Sequence, residues 1–462
     1  MVTDFVKEII VTVQPNSVEA RDQAYQLHSY TNARALERDG ALVIDRGEGV
    51  YVFDNNGKRY IEAMSGLWSV AVGFGERRLV DAAARQMSIL PYYHTFTGRT
   101  HGPSVDLAEK LIQMAPVPMS KVYFTNSGSE ANDTAIKMVW YRSNALGKPE
   151  KKKIISRVKG YHGVTIASAS LTGLPNNHRS FDLPLANIFH TTCPHYRVFA
   201  NEGETEQEFV ARCAKDLEDL ILKEGPETVA AFIGEPVMGA GGVIVPPAGY
   251  WEAIQTVLRK YDILLIADEV ICGFGRTGEM FGTTTYGMQP DIMTLSKQLS
   301  SSYQPISALL INERVYGPLA DESEKIGTFG HGFTASGHPV AAAVALENLA
   351  IIEERDLVGN ARELSPTFLK RLKDLEGHPL AIEARGVGLI GALELKPREG
   401  VPAGQLGPKF ASLMLEKGVI GRAIGDSIAL CPPLIVSSEQ INTIFDTFEA
   451  SLDAFQAQLA AA

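Results

Sequence analysis

The sequence predicts an α/β protein: a large domain with a mostly parallel sheet flanked by helices, followed by a smaller α+β domain. Three observations carry that prediction. Short apolar, β-branched runs recur at 122–125, 154–158, 229–233, 263–270 and 307–311. Amphipathic stretches at 130–144, 205–223 and 250–261 fall between them, which is the alternation of βα units around a parallel sheet. After about residue 337 the pattern changes to helix, helix, strand, helix, strand, helix.

Taken in order, residues 1–65 form an N-terminal segment with a hairpin at 50–60, signalled by Asn56-Gly57 between two alternating runs. That segment is expected to pack on the smaller domain. Residues 66–336 make the large domain and 337–462 the small one. Within the latter, 338–355 and 360–375 read as helices and 386–395 as one strand. A helix at 407–417, a strand near Ile428 and a last helix from Ser438 complete it.

The chain has 462 residues, 45% of them hydrophobic and 21% charged, as in soluble globular proteins. A net charge of −11 argues against a nucleic-acid surface, and the one basic run, Lys151-Lys152-Lys153, reads as a solvated strand entry. Cys193, Cys213, Cys272 and Cys431 show no paired spacing, which points to a reducing compartment and to neither a disulfide framework nor a zinc site. The opening octet mixes acids among its apolar residues, and no uncharged stretch approaches the ~20 residues that span a membrane. The expectation is a cytoplasmic protein without membrane or nucleic-acid partners and without a metal.

In open α/β sheets ligands bind beyond the carboxyl ends of the strands, and three features converge there. Lys297 follows an apolar run and can form an imine with an aldehyde cofactor. Asp268 ends the 263–270 strand, where it can keep a ring nitrogen protonated. Ser127-Gly128-Ser129 lies between a strand and a helix, and exposed N–H groups with a helix dipole suit a phosphate. Together they describe a site for pyridoxal phosphate.

Each feature has a plainer reading. Taken alone, the Ser127 loop is first a helix cap. Asp268 and Glu269 could be solvated acids or metal ligands, although no histidine stands beside them in the sequence. Tyr161 could stack on a flat ring or plug the core. Arg422, among glycines, could be a surface arginine or one that swings to clamp a carboxylate. Gly273-Phe-Gly275-Arg-Thr-Gly278 matches a dinucleotide fingerprint literally, but the following residues are too rich in Gly and Thr for the helix that fingerprint needs.

Over essentially its full length the chain resembles the class III (ω) aminotransferases of the fold-type I pyridoxal-phosphate superfamily. The resemblance rests on Tyr123-Phe-Thr-Asn-Ser-Gly-Ser-Glu130, Gly160-Tyr-His-Gly163, Gly234-Glu-Pro-Val237, the run from Ala267 to Gly278, Leu295-Ser-Lys297 and His331-Gly-Phe-Thr334. Through Gly66-Leu-Trp68 and the Arg422 loop it is most similar to amine:pyruvate enzymes. It implies that Lys297 carries the cofactor and Asp268 bonds its ring nitrogen, with Val270 and Tyr161 on the two ring faces. Ser127, Gly128 and Ser129 would hold the phosphate, joined by Thr334 of a second subunit in a homodimer with shared sites, or in a tetramer of such dimers. His162 and Glu235 would lie near the cofactor. Tyr30, Leu67, Trp68, Phe96, Tyr161, Ala240 and Arg422 would line the substrate pocket. The implied reaction is a ping-pong transfer from a primary amine or ω-amino acid to a keto acid, pyruvate being expected. Another reaction on the same cofactor, by an aminomutase or a decarboxylase, is the alternative. Four departures from the family pattern stand out: Met238, Gln298, Ser302 and Ala335.

Overall fold

The computed structural model describes residues 14–461; the opening octet lies outside them. The expected sheet has seven strands, in the order Lys121–Thr125, Ser307–Ile311, Ile292–Leu295, Leu264–Asp268, Val229–Gly234, Lys153–Arg157 and Ile188–Thr191. Ser307–Ile311 runs antiparallel to both neighbours, and the other pairings are parallel. The central strands Val229–Gly234, Leu264–Asp268, Ile292–Leu295 and Ser307–Ile311 are buried at every residue. Burial on both faces is why they appear in the sequence as continuous apolar runs rather than alternating ones.

The edge strand Ile188–Thr191 escaped the sequence reading, since Ile-Phe-His-Thr is too short and too mixed for a periodic signal. Helices Gly128–Ala145, Glu206–Glu224 and Tyr250–Lys260 fall where amphipathic stretches predict them. A capping box between Thr205 and Glu208 fixes the start of the second.

The predicted strand 386–395 is in fact the second half of a hairpin, Ala381–Val387 with Ile390–Leu395, paired Val387↔Ile390. Gly388 turns the chain with φ +58°, a conformation that favours glycine. Ser427–Leu430 and Arg422–Ile424 complete this antiparallel sheet. A further sheet comprises Ile44–Glu48, Tyr51–Asp54 and Arg59–Glu62, extended in parallel by Val419–Ile420. The N-terminal hairpin is thereby hydrogen-bonded to the C-terminal part of the chain. Among the described residues no helix is long and apolar enough to cross a membrane.

The Gly273–Gly278 turn is buried throughout, and the Arg276 guanidinium donates to the carbonyls of Leu389 at 3.0 Å and Pro432 at 2.6 Å. It ties the two sheet regions together and exposes no backbone to a pyrophosphate, so the dinucleotide reading falls.

Candidate active site

Because the strands around Leu264–Asp268 run parallel, their carboxyl ends share one edge of the sheet. Ser127, Tyr161, Glu235, Asp268 and Lys297 each end a strand or follow one there. They line a cavity of about 320 Å³ together with Gly128, Ser129, His162 and Val270.

At its floor lies Asp268. Oδ2 accepts from Nδ1 of His162 at 2.7 Å and from Nδ2 of Asn132 at 2.9 Å, while Oδ1 accepts from the Val270 N–H at 3.2 Å. Burial pushes this carboxyl up, but the His162 and Asn132 hydrogen bonds outweigh it and hold Asp268 below its ordinary value. An ionised carboxylate only accepts, so His162 Nδ1 carries the proton, and its buried Nε2 has no partner among the described residues. An anion fixed in this way is suited to a cationic ring nitrogen.

The phosphate end is shaped by missing side chains. A Cβ on Gly128 would come within 3.1 Å of Val270 Cγ2, and one on Gly163 would come within 2.5 Å of Ser129 Oγ. Ser127 caps the Gly128–Ala145 helix by accepting from the Glu130 N–H at 3.2 Å. Both readings of this loop therefore hold at once, cap and anion cradle, since the capped helix start still presents its first N–H groups. Ser129 Oγ accepts from the Val164 N–H at 3.1 Å. With Lys297 across the cavity, these residues fit pyridoxal phosphate at both of its ends.

Lys297 itself adopts φ +44°, a strained backbone held by the turn that follows the Ile292–Leu295 strand. Burial lowers its amine pKa, against the opposing pull of Asp268 and Glu235. Glu235 is buried, and its carboxylate accepts from the N–H groups of Tyr161 and Gly239, each at 3.0 Å. Burial raises its pKa, with the His162 charge opposing.

A second cavity, about 630 Å³, shares Tyr161, Ile271 and Lys297 with the first. Tyr30, Leu67, Trp68, Ala240 and Arg422 form its walls. Arg422 begins the Arg422–Ile424 strand rather than a free loop, facing Ala429 in register. Burial lowers its pKa while Tyr161 and Tyr30 oppose, and among the described residues it has no carboxylate partner.

Two expected residues are not brought here by their own chain. Thr334 is exposed, its carbonyl accepting from the Tyr92 hydroxyl at 2.7 Å, and the Phe96 ring covers Gly332 beside it. Of the departures, Met238 packs with Cys193 and Ile244 and lines neither cavity. Gln298 is buried and donates to the carbonyls of Ile271 and Gly273 at 3.1 and 2.7 Å. Ser302 takes φ +58°, and Ala335 is exposed.

Asn132 went unnoticed in the sequence. Its spacing is the signal that could have found it: it stands four residues after Gly128, on the helix face that carries the cradle.

Comparison with known proteins agrees with this geometry. A family model described as Aminotransferase class-III matches residues 34–452. The chain is 51% identical over 417 residues to the mitochondrial gamma aminobutyrate transaminase 1 of Solanum lycopersicum, covering 89% of this chain and 81% of that protein. The crystal structure of the ω-transaminase from Pseudomonas jessenii in complex with PMP has a TM-score of 0.95 at 59% identity, covering 96% of this chain and 99% of that one. A transaminase solved with L-ala is 67% identical, with a TM-score of 0.90 over 90% of this chain and 100% of that one. All three are named transaminases, which answers the aminomutase and decarboxylase alternative. With its cofactor cradle, its lysine and most of its length matched, the chain belongs to the class III aminotransferases, enzymes that work with pyridoxal phosphate on small amines and keto acids.

Proposed function

We propose that the protein moves an amino group from a primary amine or ω-amino acid to pyruvate, in two half-reactions at one site. The observation that carries this reading is Arg422. Its guanidinium, free of any carboxylate among the described residues, shares the 630 Å³ cavity with the apolar Leu67 and Trp68. The cavity lining thus offers both a cation for a carboxylate and apolar surface for an uncharged group. The solved relative with L-ala supports pyruvate, since alanine is its aminated form. The tomato relative, named for γ-aminobutyrate, supports an ω-amino acid as donor.

Bound pyridoxal phosphate supplies the aldehyde carbon and the electron-withdrawing ring. The chain's own residues do the rest. Asp268 stays ionised and opposes the ring nitrogen, and Asn132 and His162 keep it oriented. Lys297 Nζ, favoured as the free amine by burial, would take the proton from the amine-bearing carbon and give it up to the bound cofactor within the same half-reaction, and would carry a proton the opposite way, onto the keto acid's carbonyl carbon, in the second. Tyr161 and Val270 bound the space in which a flat ring fits. Arg422 holds the keto acid's carboxylate while Leu67 and Trp68 receive the remainder of the amine.

The same reading makes the enzyme a homodimer with shared sites. Thr334 and Phe96 are exposed and line neither of their own chain's two cavities, which supports a role in the site of a second copy. A panel of amines, including γ-aminobutyrate, incubated with pyruvate and assayed for alanine tests the proposal. Alanine formed from at least one ω-amine is the expected result. Transfer to other keto acids with none to pyruvate would overturn it.

A further inference from the structure

Glu62 ends the Arg59–Glu62 strand and is 4% exposed, yet among the described residues no lysine or arginine pairs with it. Its carboxylate instead accepts from two backbone N–H groups, those of Met64 at 3.2 Å and of Gly66. These belong to a turn in which Ser65, Gly66 and Trp68 all hold left-handed φ, at 51°, 65° and 63°. Such a backbone persists only where its surroundings over-determine it. Ser65 Oγ adds one tie, donating to the Cys431 carbonyl at 2.6 Å, and Arg276 adds another to Ser65 Oγ at 3.3 Å.

The turn carries Leu67 and Trp68, one wall of the 630 Å³ cavity. On its other side Glu62 pairs in parallel with Ile420, two residues before Arg422, and the Ala63 N–H donates to the Ile420 carbonyl at 3.0 Å. The residue whose carboxylate holds the apolar wall therefore also pairs, through its backbone, with the strand that leads to the arginine. A buried carboxylate without a cation is costly, and burial pushes Glu62 up to about 7 against the hydrogen bonds from Gly66 and Met64. Filling the space alone would need only an apolar side chain.

The geometry points to Glu62 as a positioning residue for substrate choice, its carboxylate holding the Met64–Trp68 turn so that Leu67 and Trp68 form the amine-side wall. This rests on the proposed amine site. Glu62→Gln keeps the shape of the side chain but turns one acceptor into a donor facing an N–H. In the Glu62→Gln holoenzyme, amide exchange of the 63–70 segment should accelerate. In single-turnover measurements the half-saturation for an aryl or ω-amine should rise by about tenfold or more, the loss that goes with one charge-assisted hydrogen bond. Pyruvate, with three carbons, should keep its half-saturation. Gly66→Ala, which strains the same turn from the backbone side, should reproduce the split where Glu62→Gln does not fold. Unchanged exchange and unchanged amine half-saturation would overturn the assignment, as would equal losses in both halves with a lowered melting temperature. Should the wild-type enzyme fail to react with any such amine, the proposed function falls, while the exchange measurement still decides the role of Glu62.

Discussion

Nδ1 of His162 donates to Oδ2 of Asp268 across 2.7 Å, with both side chains buried. The pair turns a carboxylate that burial would neutralise into a fixed anion at the sheet edge. Asp268→Asn should therefore lower turnover by about a hundredfold or more, since a neutral amide cannot hold the ring nitrogen protonated and losing one partner of a buried, hydrogen-bonded charge pair costs about 2–5 kcal/mol. Steady-state kinetics at saturating pyridoxal phosphate measure it. Turnover within a few-fold of wild type would contradict the role given to Asp268.

His162→Ala and Asn132→Ala probe the same anion one step removed. Each deletes a single hydrogen bond to a charged group, which contributes about 1.5–3 kcal/mol, so each should cost about tenfold or more in turnover. With less support against burial, the Asp268 carboxyl should also rise. The low-pH limb of the activity profile should then move to higher pH, and a shift in the opposite direction would show that these residues do not stabilise the ionised form.

Lys297→Ala should abolish transfer while the fold, read by its melting curve, survives. Burial lowers the pKa of this amine, so its free-base form prevails at lower pH than in a solvated lysine. Borohydride reduction of the holoenzyme followed by peptide mapping should label Lys297. Label on another lysine would remove it from the reaction.

Much of this site was legible in the sequence because its anchors sit at strand ends, where continuous apolar runs stop abruptly at Asp268 or just before Lys297. The sheet was legible for the same reason: strands buried on both faces leave unbroken apolar stretches. What the residues concealed was long-range pairing. Asn132 reaches Asp268 across 136 positions, and no local pattern marks an asparagine inside a helix as a ligand of a distant carboxylate. The first strand of the hairpin at Gly388 was hidden because Ala381–Val387 carries Glu383 and Arg385 and is mostly half-buried, so no apolar run marks it. Arg422 was visible as a residue but not as the start of a strand, since three residues carry no period.

Arg422→Ala should slow the pyruvate half-reaction by about tenfold or more, the contribution of a charge-assisted bond to a carboxylate. An amine donor without a carboxylate should be affected much less, and γ-aminobutyrate, which carries one, should fall between. Single-turnover absorbance of each half separates them. Equal losses with every substrate would mark the arginine as structural.

Thr334 is exposed and does not line its own cavity, so it serves the phosphate only if a partner subunit receives it. Thr334→Ala should then weaken pyridoxal phosphate binding, by about 0.5–1.5 kcal/mol for a neutral hydrogen bond, or several-fold in affinity. Mixed dimers decide where that bond is made. Lys297→Ala and Thr334→Ala chains are unfolded together, refolded and assayed at a pyridoxal phosphate concentration that leaves the Thr334→Ala homodimer largely empty. If Thr334 acts across the interface, each mixed dimer contains one site with both residues intact and one with both altered, so activity should exceed that of either parent. If it acts within its own chain, every site in the mixture carries one defect and no activity returns.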